Sequence, residues 1–285
     1  MIMKRSTTPA VLLLIAACTY APAPTAAPPC PATWTGQAPE PATVAGVSEE
    51  LVPGDPVGAL VCAYAGVNWD PGGEALTGQR RLSHEVMTLM ARDLNDLPPE
   101  TGSRSCTLVG GPQINYLVRV DYADGKRVWL TTGDEVNQCV STGNGTFATG
   151  AYVGEAVTAA YKTGKWTTPE HDDPCYRSLG RRGQEERMVP DRPVGVLVCG
   201  EHSKRDHGPD VARALAGRLN MIATRPAKAS LCTGTPREEY RLQFRYAEGP
   251  GVGVTVLVGC RPPVHNGSLS GIGELPQLKA LSQGG

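Results

Sequence analysis

Phenylalanine is almost missing from this chain, with two in 285 residues, and histidine is scarce, with five. Nine cysteines include no Cys-x-x-Cys pair, and no glycine-rich stretch carries the Lys-Ser/Thr of a phosphate loop or leads from a strand into a helix as a dinucleotide site would. Past the N-terminus no apolar run is long enough to span a bilayer. Charge of one sign is missing too, since 27 Lys and Arg stand against 28 Asp and Glu, and nothing in that balance points to nucleic acid. With 34 glycines and 25 prolines the chain is loop-rich and modestly cored, the kind of chain that covalent bracing helps.

What is present is a duplication. Residues 52–62, Val-Pro-Gly-Asp-Pro-Val-Gly-Ala-Leu-Val-Cys, return as residues 189–199, Val-Pro-Asp-Arg-Pro-Val-Gly-Val-Leu-Val-Cys, with eight of eleven positions equal at an offset of 137. The chain is long enough for two domains with cores of their own. Four cysteines follow one order in each: Cys30, Cys62, Cys106 and Cys139, then Cys175, Cys199, Cys232 and Cys260.

Around these cysteines the periodicities also match. The β-branched run ending at Cys62, and its twin ending at Cys199, predict a buried strand. Val86, Met90, Leu94 and Leu97, like Val211, Leu215, Leu219 and Ile222, step by four, four and three, an amphipathic helix that Pro98 stops in the first case. Residues 116–122 and 127–132 predict a hairpin over Asp124-Gly125, with 240–246 and 252–258 as counterpart. Asn144-Gly145 and Asn266-Gly267 turns follow, then helices over 152–161 and 275–281. The fold class is α+β: two tandem homologous domains, each a small antiparallel sheet covered by helices in the order strand, helix, hairpin, helix.

The N-terminus names a compartment. Lys4 and Arg5 precede a short apolar region that ends in Ile15-Ala16-Ala17-Cys18. These residues resemble the lipobox of bacterial lipoproteins, with Ile15 where Leu is commoner, and the resemblance covers the first eighteen residues. It implies a signal peptide over 1–17, removed to leave Cys18 as a lipidated, palmitate-bearing N-terminus on the outer side of the membrane. Residues 18–29, rich in Pro and Ala, then form a tether in polyproline II. Repeat 1 spans 30–165, a polar linker 166–174 and repeat 2 175–285. The repeats themselves resemble secreted or lipid-anchored proteins of high-GC Gram-positive bacteria with Cys-framed repeats, a Tyr-Ala-Asp-Gly-like hairpin and a Gly-Cys…Asn-Gly ending, a resemblance that carries no function with it.

In that compartment the eight later cysteines predict structural disulfides within each repeat, and the position of the third and fourth around the hairpin favours sequential pairing among the three arrangements open to four cysteines. Chemistry is thinly supported. His202 and His207 with Asp210 are the weak candidates for a metal site or a hydrolytic centre, but their spacing is not that of a helical pair and the first repeat has no histidine there. Gly267-Ser268-Leu269-Ser270-Gly271 misses the spacing of a nucleophile elbow. Asn144-Gly145-Thr146 and Asn266-Gly267-Ser268 also match a glycosylation acceptor, a minor alternative to plain turn geometry.

The reading is a lipid-anchored extracytoplasmic binding or scaffolding protein of the cell envelope, without cofactor, whose partners are the membrane through lipid on Cys18 and an unknown envelope ligand or protein. The alternatives are an envelope hydrolase with a cleft between the repeats, or a protein inhibitor. Residues 30–165 hold nine Lys and Arg against fifteen Asp and Glu, whereas 175–285 hold sixteen against ten. Opposite net charge predicts that the repeats dock on each other, with the groove at their junction as the ligand site.

Overall fold

The computed structural model describes residues 29–67, 73–100, 106, 109–167, 173–176, 178–227 and 235–283. The signal peptide, Cys18 and nearly all of the tether lie outside the described residues, as do His171 and Cys232.

Two antiparallel sheets hold most of the regular structure. The run ending at Cys62 lies in β1 (Pro56–Val67), where Ala59, Val61 and Ala63 face one side and Leu60, Cys62 and Tyr64 the other, all of them buried. A strand buried on both faces needs apolar residues without alternation, which is how this run reads. β2 (Leu76–Leu82) folds back along β1, and β3 (Pro112–Tyr122) with β4 (Arg127–Glu135) forms the predicted hairpin on its other side. Short strands β5 (Thr142–Gly143) and β6 (Ala148–Thr149) complete the order β2-β1-β3-β4-β5-β6.

The second sheet is built from β7 (Gly195–Cys199), β8 (Lys204–His207), β9 (Thr224–Pro226), β10 (Glu238–Arg245), β11 (Val252–Val258), β12 (Val264–His265) and β13 (Leu269–Gly271). Its order, β8-β7-β10-β11-β12-β13-β9, sets these strands in the places of the first sheet's strands and adds β9, where the first half has a Pro99–Thr149 bridge.

Helices lie against one face of each sheet. Met87, Met90 and Leu94 of α1 (His84–Asn95) and Ala156, Val157 and Ala160 of α2 (Gly154–Thr163) share a core with Val61, Val118 and Leu130. Ala212, Leu215 and Leu219 of α3 (Pro209–Asn220) and Leu278 of α4 (Leu278–Gln283) do so with Val198, Leu242 and Val254. Ser83 caps α1 by accepting the Val86 N–H at 3.4 Å, and Pro209 opens α3 at a position where its missing N–H is harmless. The molecule carries more sheet and less helix than the order strand, helix, hairpin, helix implies. A polar strand precedes the first helix of each half, and two- and three-residue strands follow each hairpin.

Cys30–Cys62, Cys106–Cys139 and Cys175–Cys199 are disulfides with Cα separations of 5.7, 6.0 and 6.1 Å, each joining cysteines neighbouring in order. Cys260 is disulfide-bonded as well. Such bridges indicate an oxidising environment outside the cytoplasm. Among the described residues no helix is long and apolar enough to cross a membrane.

The recurring Val-Pro is a clamp. The Val52 N–H donates to Asn95 Oδ1 at 2.9 Å and its carbonyl accepts from Asn95 Nδ2 at 2.7 Å, fastening the loop before β1 to the end of α1. Val189 and Asn220 exchange the same two bonds at 2.9 and 2.8 Å. The Asn-Gly turns make a second clamp. Asn144 Nδ2 donates to the carbonyls of Val47, Glu50 and Leu51 while its Oδ1 accepts the N–H groups of Thr146 and Phe147. Asn266 does this with Gln184, Arg187 and Met188, and with Ser268 and Leu269. Both asparagines are buried with the amide nitrogen turned inward, so neither is a glycosylation site in the fold.

Candidate binding face and the junction of the halves

The histidine candidates do not converge. His202 is 88% exposed beside Glu201, His207 Nε2 is bonded to the Leu281 carbonyl at 2.9 Å, and Asp210 accepts from Arg213 at 2.6 Å. Among the described residues no three His, Cys, Asp or Glu side chains are grouped to hold a metal. The serine stretch is equally engaged in structure: Ser268 Oγ accepts from Gln184 Nε2, and Ser270 is buried in β13. A close cluster of hydroxyl and carboxylate groups, in which Tyr152 and Thr158 both donate to Asp134 and Thr158 meets Tyr116, fastens α2 to the sheet, with burial the main cause that raises the Tyr152 phenol.

The halves meet through two arginines of the second. Arg181 lies between Asp96 at 3.1 Å, at the C-cap of α1, and Asp191 at 2.9 Å, and its guanidinium also covers the Tyr246 ring and bonds the Glu248 carbonyl. Arg182 donates its N–H to the Asp96 carbonyl and its Nη2 to the Glu49 carbonyl, both at 2.6 Å, and lies 5.2 Å from the centre of the Phe147 ring. Leu179 packs on the first core, and Arg92 pairs with Glu248 at 3.6 Å. Gly249, at the tip of the β10–β11 hairpin, comes so close to Asp96 that a Cβ there would overlap its carboxylate. Burial raises the Asp96 pKa, Arg181 opposes that, and Asp191 and Asp93 add to it. The polar linker begins with a residue of the first half: Trp166 is buried and its indole N–H donates to Asp93 Oδ2 at 2.9 Å.

The helix-free faces of the two sheets differ. In the first half Trp34 closes this face, packed with Leu60, Tyr64, Leu117 and Trp129 in one buried cluster, while Glu40 accepts from the Trp129 indole. Tyr64, donating to the Pro31 carbonyl, is pushed up to about 12 by that burial. The covering segment is the chain between Cys30 and Val52, 21 residues long; between Cys175 and Val189 there are 13. The shorter crossing leaves the second face half-open. Gly253 stands opposite Gln243 where Trp129 stands opposite Arg119, and Leu197, Arg241, Gln243, Thr255 and Leu257 are all only partly buried.

Two grooves result, one on either side of the crossing. One, of about 850 Å³, lies between α2 and this face, lined by Glu155, Ala156 and Ala159 from the first half and by Ser178, Leu179, Leu197, Gln243, Arg245 and the 249–251 backbone from the second. The other, of about 870 Å³, opens beside the Cys175–Cys199 bridge, where Tyr176, 52% exposed, lies under the Arg241 guanidinium at 3.5 Å and Glu239 holds that guanidinium at 2.6 Å. A mixed polar and apolar lining of this size suits a small ligand or a chain segment. Sequence reasoning missed Tyr176, Arg241 and Gln243; the signal for them was the unequal spacing from the first cysteine to the Val-Pro of each half.

No known protein family, curated protein or solved structure matches the chain.

Proposed function

We propose that the protein is a lipid-anchored binding protein of the cell envelope, made by duplication of one helix-covered α+β unit, which holds its ligand in the groove between α2 and the second sheet. The observation that carries this reading is that groove: its walls come from both halves, and the shorter covering segment of the second half leaves it open. Its polar groups are already held, with Gln243 Nε2 donating to the Cys175 carbonyl, Ser178 Oγ to the Gly251 carbonyl and Arg245 to Asp206. Fixed donors and acceptors orient a ligand without an ordering cost.

A photo-crosslinking residue at Ala159 in intact cells, compared with one at the exposed Val194, tests the site. Crosslinks from position 159 and none from position 194 are expected; equal yields from both sink the groove. Anchoring is a separate matter. Cys18→Ala should release the protein to the soluble fraction or leave it misprocessed, and an unmodified Cys18 thiol in membrane-associated protein would overturn the lipid anchor.

A further inference from the structure

In the first half β1 runs five residues past Cys62, and Ala63–Val67 pair with Tyr116–Pro112 of β3. In the second, β7 stops at Cys199 and the chain turns back at once, the Gly200 N–H donating to the Ser203 carbonyl at 2.8 Å, to return as β8. β10 therefore loses a neighbour. Its residues Arg241–Arg245 pair with β7, whereas Glu238, Glu239 and Tyr240 pair with β11 alone. The Leu257 N–H donates to the Pro263 carbonyl, so in an alternating ladder the backbone of Val256 and Val258 faces β10 and meets Tyr240 and Glu238. The N–H and C=O of Glu239 then point to the side β7 has left. In the first half Asn115 holds that place and is paired with Tyr64. The space beside Glu239 is the groove along the Cys175–Cys199 bridge.

We propose that this open edge of β10 docks an extended polypeptide segment of a partner, which adds to the sheet as a strand where residues 63–67 do so in the first half. The occupant is described by what the first half uses there, Ala-Tyr-Ala-Gly-Val, in which small residues flank an aromatic ring lying on the helix-free face. In the second half that ring would meet the disulfide and the stacked pair of Tyr176 and Arg241. Charge narrows the partner further. Glu239 is engaged by Arg241 and Glu238 by the Tyr240 hydroxyl, while Lys204 and Arg237 on the rim have no ion-pair partner among the described residues, so a carboxylate beside the aromatic residue is favoured. The site does not share the lining of α2, so its success or failure is separate from that of the groove between the halves.

The test uses the mature full chain and the synthetic peptide Asp-Ala-Tyr-Ala-Gly-Val-Asp. Saturable binding is expected, with hydrogen exchange at the Glu239 amide slowed roughly tenfold at saturation, because a strand ladder protects it. Glu239→Pro, which has no N–H to offer, should not bind the peptide. Replacing the tyrosine of the peptide by serine should weaken binding. If Glu239→Pro does not fold, the exchange measurement on the parent decides alone. A concentration-dependent dimer that the peptide dissolves would make a second copy the occupant and uphold the edge. No saturable binding, or binding that leaves Glu239 exchange unchanged, overturns the proposal.

Discussion

Asn266 makes five hydrogen bonds while sitting 7% exposed, and all of them go to backbone groups, those of Gln184, Met188 and Leu269 in buried residues. Asn266→Ala should cost about 3 kcal/mol, the upper part of the range for orphaned buried groups, seen as a lower urea midpoint with an unchanged slope. Asn266→Asp should be no milder at neutral pH, since its carboxylate would face three carbonyl oxygens. Nearby, burial on β12 holds His265 below its ordinary value of 6.5, with Glu239 opposing and Arg241 assisting. The folded state thus prefers the neutral ring. Its contribution to stability is present above the unfolded pKa and is lost as pH falls through the lowered folded one. Unfolding followed between about pH 7 and 5 should show stability declining, and His265→Gln should flatten that decline. An unaltered slope in the variant would assign the decline to another group. In the sequence Asn266 was legible as a turn residue and His265 as an isolated histidine. Their roles were not, because Asn266 depends on the loop carrying Gln184, Arg187 and Met188, and His265 on its burial and on Glu239 and Arg241 of β10, all distant in sequence.

Elements with a strong pattern were legible. The steps of four and three gave α1 and α3, and paired apolar runs around Asp124-Gly125 gave β3 and β4, because one buried face imposes its period on the sequence. β2 was hidden: five of its seven residues, Leu-Thr-Gly-Gln-Arg-Arg-Leu, are polar or glycine, since only Leu82 joins the helix-side core. β8 was hidden for the same reason, and β5, β6, β12 and β13 are too short to carry any period. The position of α2 depends on one close approach. Gly154 opens the helix where a Cβ would overlap the Gly133 carbonyl of β4, so no other residue lets α2 lie as near the sheet. Gly154→Ala should destabilise the protein by about 2 kcal/mol through forced displacement, even though alanine favours helix. Thermal unfolding checks this: a raised or unchanged midpoint would show that helix propensity outweighs the overlap.

At the scale of the whole molecule, the opposite charge of the two halves was legible by counting, and the contact that uses it was not. Arg181 and Arg182 make the junction, while Arg187, Arg192, Lys204 and Arg205 are exposed. Asp96 is poorly placed by itself, since a carboxylate at the C-terminus of a helix opposes the helix dipole and burial raises its pKa. Arg181 offsets both. Removing the arginine therefore leaves a half-buried carboxylate near Asp93 and Asp191, whereas removing the carboxylate leaves Arg181 with Asp191, Tyr246 and the Glu248 carbonyl. The two losses are unequal. Arg181→Ala should cost about 2 kcal/mol and Asp96→Asn much less, with a coupling of about 1 kcal/mol recovered in the double variant. Because the Arg181 side chain is only 13% exposed, about 0.5 M salt should change this coupling little, though it screens the long-range attraction between the halves. Denaturant titration of the four proteins measures the cycle, and small-angle scattering should show a larger radius for Arg181→Ala than for the parent. Additive losses, or an unchanged radius in Arg181→Ala, would mean that the halves are held by the Arg182 backbone bond and Leu179 packing, and that the charge difference is left for a partner outside the molecule.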